Sequence, residues 1–199
     1  MKNLILYNGP NSPFGRKTKI TALVHKIPFE EKIIKVYDSD FLDKFNPLRK
    51  IPTLVIDNKE TIIDSDNICL YFDDISNRKT LYNKKIYWQI MTIISVANGL
   101  MEAVLERRME LIRPSNEQSE SFVKKQEIRV FRTINWLEKN WNNFEKNISM
   151  DQISVAVALE YTKYRFTDSW SNDCTKLNEW LSEFNSNDFM ELTIPKKAT

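Results

Sequence analysis

The sequence predicts a two-part chain: an α/β region of order βαβαββα over residues 1–78, then an all-helical region over 84–199. Two observations carry this reading. Strand-like and helix-like segments alternate up to residue 78, and the strand pattern stops beyond residue 84. Glycine occurs only three times in 199 residues, which disfavours a turn-rich β protein.

Taken in order, Leu4-Ile5-Leu6-Tyr7 reads as a short apolar strand, and Asn8-Gly9-Pro10-Asn11 is loop chemistry. Ser12-Pro13 opens a helix, with serine at the N-cap and proline at the first helical position. Its apolar face is Phe14, Ile20, Leu23 and Val24, and Pro28 marks the break after it. Phe29–Val36 is a second, less regular strand, and Ser39–Phe45 a short helix ending at Asn46-Pro47. The β-branched runs Thr53–Ile56 and Thr61–Ile63 suit strands joined by a tight hairpin at Asp57-Asn58. A helix opens with Ser65 as its N-cap and runs to Ile75. The strand–helix–strand start implies parallel pairing, and the short link between the last two strands implies a hairpin.

Residues 78–83 form the expected linker. Lys84–Ile112 and Asn116–Trp141 read as long helices. Ser149-Met150-Asp151-Gln152 has the pattern of a capping box, with Ile148 and Ile153 placed to staple across it. The helix that follows is apolar on every side, as a buried central helix would be, and Cys174–Phe184 is one more.

Composition narrows the function. The net charge of +2, without a long basic run, gives no footprint for bulk nucleic-acid binding. Two cysteines, Cys69 and Cys174, make a disulfide framework improbable and point to a reducing, cytoplasmic compartment. A single histidine, His25, and no Cys/His cluster argue against a metal site. The apolar stretches read as too short to span a bilayer, and the first residues lack a secretory signal pattern, so no membrane partner is expected.

Residues 50–68 carry the most information about a ligand. The residue before a proline is held extended, so the backbone of Ile51, ahead of Pro52, is placed to pair with a peptide-like ligand. Free N–H groups from Ser65 onward can hold a carboxylate. Together they make a candidate peptide-binding edge.

Four motifs in order then carry a family resemblance over nearly the whole chain. Ser12-Pro13-Phe14-Gly15-Arg16-Lys17 resembles the SPFxRK opening of a bacterial branch of the cytosolic glutathione transferases. Asn46 to Pro52 resembles that family's NPxxKxP stretch, Asp64-Ser65 its acidic-serine pair, and Ile148 to Arg165 the central helix of its helical domain. The resemblance implies a thioredoxin-like domain over 1–78, an all-helical domain over 84–199, a homodimer, and a cis bond before Pro52. It implies that glutathione is the co-substrate, conjugated as its thiolate to a small electrophile, as in detoxification, with no metal. It also implies roles. Ser12 serves the sulfur, and Phe14, Lys50, Ile51, Pro52, Asp64 and Ser65 bind glutathione. The Ile51 backbone lies against the cysteinyl part, Asp64 on the ammonium and Ser65 on the carboxylate of the γ-glutamyl end, and Lys50, with Lys44 a weaker candidate, on the glycyl carboxylate.

The chemistry sets a size for the task. A thiol of pKa near ~8.5 is only a few per cent thiolate at neutral pH, and lowering that value by ~2 units raises the nucleophile roughly twentyfold. This needs about 2.7 kcal/mol of preferential thiolate stabilisation, within reach of a hydroxyl donor and a helix N-terminus together. Ser12 is placed to offer both or merely to cap its helix; Tyr7, Asn8 and Asn11 are nearby alternatives for the sulfur contact. Cysteine is absent from this loop, which disfavours a cysteine-based thiol transferase. An electrophile pocket is expected along the helix from Lys84, with Gly99, Met101, Leu105, Arg108 and Met109 as candidates and Arg107-Arg108 as an anion contact. Two rival readings keep the fold: a glutathione-dependent peroxidase or disulfide reductase, and a non-catalytic regulatory or interaction protein.

Overall fold

The computed structural model describes residues 2–141, 144 and 147–195, so the expected end of the helical region at 196–199 lies outside the described residues. The chain divides into two compact units, Met1–Leu81 with Asp188–Thr199, and Tyr82–Asn187. The last segment of the span expected to be the helical domain therefore groups with the first unit.

The first unit is built on a four-stranded sheet of order β2-β1-β3-β4. Strand β1 (Leu4–Asn8) pairs in parallel with β2 (Glu30–Ile33) and antiparallel with β3 (Thr53–Ile56), which pairs antiparallel with β4 (Glu60–Ile63). Alternation along β1 explains why its residues are apolar without a break. Leu4 and Leu6 enter one core with Leu54, Ile56, Ala22, Ile68 and Phe72. Ile5 and Tyr7 enter a second core with Val55 and Leu42 on the opposite face. Both central strands are buried throughout, whereas β2 and β4 are edges with exposed or half-buried residues. That is why β2, carrying Glu30, Glu31 and Lys32, looked irregular in sequence and is shorter than the expected 29–36.

Helix α1 (Pro13–His25) follows β1, capped by Ser12 and ending at Lys26 in the left-handed region at φ 54. The expected helix over 39–45 is instead two 3-10 turns, Val36–Asp38 and Asp40–Lys44. Asp57 and Asn58, at φ 51 and 55, make the hairpin turn with the primed geometry that suits twisted strands. The cap of α2 (Ser65–Asp74) corrects the sequence reading: Asp64, not Ser65, is the N-cap, accepting the Asp66 N–H at 2.8 Å. A short closing helix joins this unit through Arg16, whose Nε donates to Thr193 Oγ1 and whose Nη2 donates to the Met190 carbonyl, both at 3.1 Å.

The second unit is helical among its described residues. Helix α3 (Tyr87–Leu111), preceded by a 3-10 turn over Lys84–Ile86, packs on α4 (Glu120–Asn140) and α5 (Met150–Arg165). Helix α4 starts later than expected because Ser119 is its cap. Helix α5 is buried along almost its whole length, as its small apolar residues predict. The expected capping box is not formed as a cap: the Ser149 hydroxyl donates to the Asp151 carboxylate instead of accepting a backbone N–H. Helix α6 (Thr175–Phe184) packs beside α4.

One expectation about membranes is corrected. The segment Lys84–Leu111 is long and apolar enough, by length and composition, to cross a bilayer. Its apolarity has a local cause, because Ile90, Ile93, Ile94, Ala97, Leu100, Met101, Ala103 and Val104 are all buried and the helix packs on α4 and α5.

Candidate functional site

Three segments of the first unit converge at the site. The loop after β1 closes as a turn, with the Ser12 N–H donating to the Gly9 carbonyl at 3.4 Å and Pro10 at the second position. A Cβ added to Gly9 would stand 2.5 Å from Ile51 Cδ1 and 3.7 Å from Ser12 Cβ, so the Ile51 side chain lies over Gly9 beside Ser12. Any side chain at position 9 would force Ile51 aside.

Ser12 caps α1, its hydroxyl oxygen accepting the Gly15 N–H at 3.1 Å. A hydroxyl that accepts one bond still has its proton to donate, so capping and an outward hydrogen bond are compatible. Ser12 is half-buried, and Phe14, half-buried at the second position of the helix, makes no ring contact among the described residues.

The alternative sulfur contacts fare differently. Asn8 is 3% exposed, its amide nitrogen donating to Glu31 Oε1 at 2.9 Å and its oxygen accepting the Gly9 N–H at 2.8 Å. It also fills the space beside Gly15, where an added Cβ would fall 1.6 Å from Asn8 Oδ1, so position 15 must be glycine for this packing. Tyr7 is 8% exposed, with its ring 5.9 Å from Phe45 in a stack and 5.3 Å from Phe41, a core arrangement. Asn11 is half-buried in the loop.

The second segment, 46–52, is braced from within. The Asn46 amide donates to the Lys50 carbonyl and to Thr53 Oγ1, each at 2.9 Å, and its oxygen accepts the Leu48 N–H at 3.0 Å. Thr53 Oγ1 donates to the same Lys50 carbonyl at 2.7 Å. Arg49, at φ 47, bonds Asp43 and Asp40, and its guanidinium holds the Asp43 carboxyl below the usual carboxylate range. The Ile51–Pro52 bond is cis. This bracing presents Ile51 half-buried and Lys50 exposed, with no ion pair to Lys50 or Lys44 among the described residues.

The third segment is the start of α2. Asp64 is exposed with φ 74 and ψ 133, a conformation sparsely populated for any residue but glycine and costing of order ~1–3 kcal/mol. Ser65 is 5% exposed, and its hydroxyl has no hydrogen-bond partner among the described residues. A buried hydroxyl beside a helix N-terminus is a ready receptor for a carboxylate. Behind it, the Lys17 ammonium pairs with the Asp66 carboxylate, tying the second turn of α1 to the first turn of α2. Sequence reasoning missed Lys17, which is fully buried, because the residue sits among other charged residues and only the fold reveals its partner.

The remaining candidates are structural. His25, the last residue of α1, is 4% exposed, with Nε2 3.0 Å from Asp73 Oδ1. Thr80 Oγ1 and the Leu81 N–H also donate to Asp73, at 2.6 and 2.7 Å. Cys69 is buried, and that burial pushes its thiol up to about 12. Cys174 is buried too, and its thiol is also raised. Among the described residues no group of three His, Cys, Asp or Glu is placed to hold a metal ion. Gly99, Met101, Leu105, Arg108 and Met109 all lie on α3, with Met101 buried in the helical unit.

Comparison with known proteins follows the same lines. Residues 6–80 match the family described as glutathione S-transferase, N-terminal domain. The chain is 28% identical to the uncharacterized GST-like protein YibF of Escherichia coli (strain K12), over 94% of this chain and 96% of that protein. A glutathione transferase family member from Pseudomonas fluorescens Pf-5, crystallised with bound glutathione, superposes with a TM-score of 0.91 at 27% identity, covering 98% of this chain and 100% of that one. A second structure of that description, with bound S-(propanoic acid)-glutathione, gives a TM-score of 0.89 at 26% identity over 99% and 100% of the two chains. Over residues 6–80 the chain is similar to the N-terminal domain of glutathione S-transferases. The matches also establish the fold as a thioredoxin-like N-terminal domain followed by a mostly helical part.

Proposed function

We propose that this chain is a glutathione transferase that conjugates the glutathione thiolate to a small electrophile. The observation that carries the proposal is the position of Ser12. It caps α1 with its oxygen, keeps a proton to donate, and stands beside Ile51 at the edge where a peptide would pair. In this reading glutathione lies extended along the braced 46–52 segment, its cysteinyl backbone against Ile51 next to the cis bond to Pro52, with Phe14 flanking the same edge. The buried, unpartnered Ser65 hydroxyl receives the γ-glutamyl carboxylate, and the exposed Asp64 faces the ammonium. Lys50, exposed and without an ion pair among the described residues, pairs with the glycyl carboxylate.

The reaction then follows from charge. Binding with Ser12 donating to sulfur favours the thiolate, and the thiol proton leaves to solvent. The sulfur lone pair forms the bond to the electrophilic carbon while a leaving group departs with its electron pair, or a proton is taken up where the electrophile is an activated alkene. Both cysteines are buried with raised thiols, which supports glutathione rather than a protein thiol as the nucleophile. The relative holding S-(propanoic acid)-glutathione supports an acid-bearing electrophile as the substrate class. A cytoplasmic homodimer in detoxification completes the proposal.

Calorimetric titration of the purified protein with glutathione, followed by mass analysis of products with a panel of electrophiles, tests it. Saturable binding and conjugates above the uncatalysed rate are expected. Absence of binding overturns the proposal.

A further inference from the structure

Ser12 lies between two segments that a single carboxylate ties together. Asn8 ends β1, immediately before the 9–12 loop, and Lys19 lies on α1, beyond it. Glu31, on the edge strand β2, bonds both side chains. Its Oε1 accepts a hydrogen bond from the Asn8 amide nitrogen at 2.9 Å, and its Oε2 accepts one from the Lys19 ammonium at 2.6 Å. Only 20% of the Glu31 side chain is exposed, and its charge strengthens both bonds.

The Asn8 amide carries this tie to Ser12. Its oxygen accepts the Gly9 N–H at 2.8 Å, fixing the first residue of the loop. The same oxygen lies against Gly15, where an added Cβ would stand 1.6 Å from it. Gly15 in turn donates its N–H to the Ser12 hydroxyl oxygen at 3.1 Å. Turning the amide over would set its NH2 against the Gly9 N–H and its oxygen against the Glu31 carboxylate, so Glu31 selects one orientation. The Asn8 backbone is held as well, since the Ile34 N–H donates to its carbonyl at 2.8 Å. Both ends of the loop are thus set by one carboxylate.

A serine-proline cap forms from local sequence and does not need this network. What the network adds is a fixed direction for the hydroxyl. A displacement of roughly 1 Å in a group that acts on a reacting atom costs on the order of a hundredfold in rate. We propose that Glu31, acting through Asn8, is a positioning residue that aims the Ser12 hydroxyl at the glutathione sulfur. The inference rests on the transferase reading, in which Ser12 serves that sulfur.

The test follows thiolate absorbance against pH for glutathione bound to wild type, Glu31→Ala and Glu31→Gln. S-methylglutathione, which has no ionisable thiol, is titrated alongside to report the peptide site. Glu31→Ala is expected to raise the bound thiol pKa by about 1 unit. Its affinity for S-methylglutathione should stay within about twofold of wild type. Removing a carboxylate by itself favours the thiolate and lowers that pKa, so a rise reports lost geometry and not lost charge. Glu31→Gln keeps an acceptor for the Asn8 amide and should hold the wild-type value. Added to Ser12→Ala, Glu31→Ala should change nothing further, because its effect passes through Ser12. An unchanged or lowered pKa in Glu31→Ala overturns the inference and leaves the transferase reading standing. So does an equal rise in Glu31→Gln, or a rise that persists in the Ser12→Ala background. Loss of S-methylglutathione binding in Glu31→Ala assigns Glu31 to the fold alone and overturns it too. A wild type that binds no glutathione overturns the transferase reading and the inference with it.

Discussion

The fully buried ammonium of Lys17 is paired with the carboxylate of Asp66, joining the two helices whose N-termini frame the candidate site. The pair has an electrostatic consequence. Ser65 sits between Asp64 and Asp66, and two bare carboxylates would repel any ligand anion placed there. Lys17 offsets one of them, and in the proposed complex the exposed Asp64 faces the ligand ammonium.

The two partners differ in exposure, and so should the cost of removing each. Lys17 has no exposed side-chain surface, whereas the Asp66 side chain retains 23%. Asp66→Asn strips a buried charge of its carboxylate and should cost about 3 kcal/mol, while Lys17→Met should cost about 1. Denaturant melts of both variants check this, and a larger loss for Lys17→Met would contradict it.

In the proposed complex Asp64 and Ser65 divide the γ-glutamyl end between them. Asp64→Asn keeps a capping oxygen for the Asp66 N–H, so stability should change by less than ~0.5 kcal/mol. Glutathione affinity should fall about tenfold through loss of the ammonium contact. Calorimetry and melting measured together separate the two effects, and an affinity unchanged from wild type would remove Asp64 from the site.

Asp73 gives the fold an acid-sensitive contact. Burial alone would raise its carboxyl, but hydrogen bonds with His25, Thr80 and the Leu81 N–H outweigh it and hold the value below the ordinary one. Because the folded value is depressed, the contribution is fully present above the unfolded carboxylate pKa of ~3.9 and is lost as pH falls through the lower folded value. Asp73→Asn should therefore cost about 1 kcal/mol at neutral pH. The gap from wild type should close only below about pH 4, which melts across pH report.

Neither cysteine should react with a thiol reagent in the folded protein at neutral pH. Cys69 combines complete burial with a thiol pushed up to about 12. Modification should track unfolding, so labelling rates should rise with denaturant alongside loss of helical signal. Fast labelling under native conditions would contradict the buried placement of one or both.

Much of this was legible in the sequence because local chemistry and fold agree. Ser12-Pro13 reads as a helix start and is one, and Asp57-Asn58 reads as a hairpin and adopts its positive φ values. Other features depend on partners far away in the chain. Position 65 looks like the better cap until the strained backbone of Asp64 supplies the bond one residue earlier. Gly15 looks permissive until Asn8 is found filling its space. Lys17 reads as a solvated lysine until the packing of α1 on α2 brings Asp66 to it. The burial of His25, the last residue of α1, and of Cys174 emerges only in the fold, since local pattern carries no record of what packs over it.

The central claim is that the Ser12 hydroxyl favours the thiolate of bound glutathione. Ultraviolet absorbance of the thiolate, followed against pH for glutathione bound to wild type and to Ser12→Ala, tests it most directly. Ser12→Ala also removes a cap worth ~1 kcal/mol, so both proteins are compared well below their melting temperatures. The account predicts a bound thiol pKa ~1–2 units below the free value of ~8.5 in wild type, moving back toward that value in the variant. The same depressed pKa in both proteins would contradict it and pass the role to another group of the 7–11 segment.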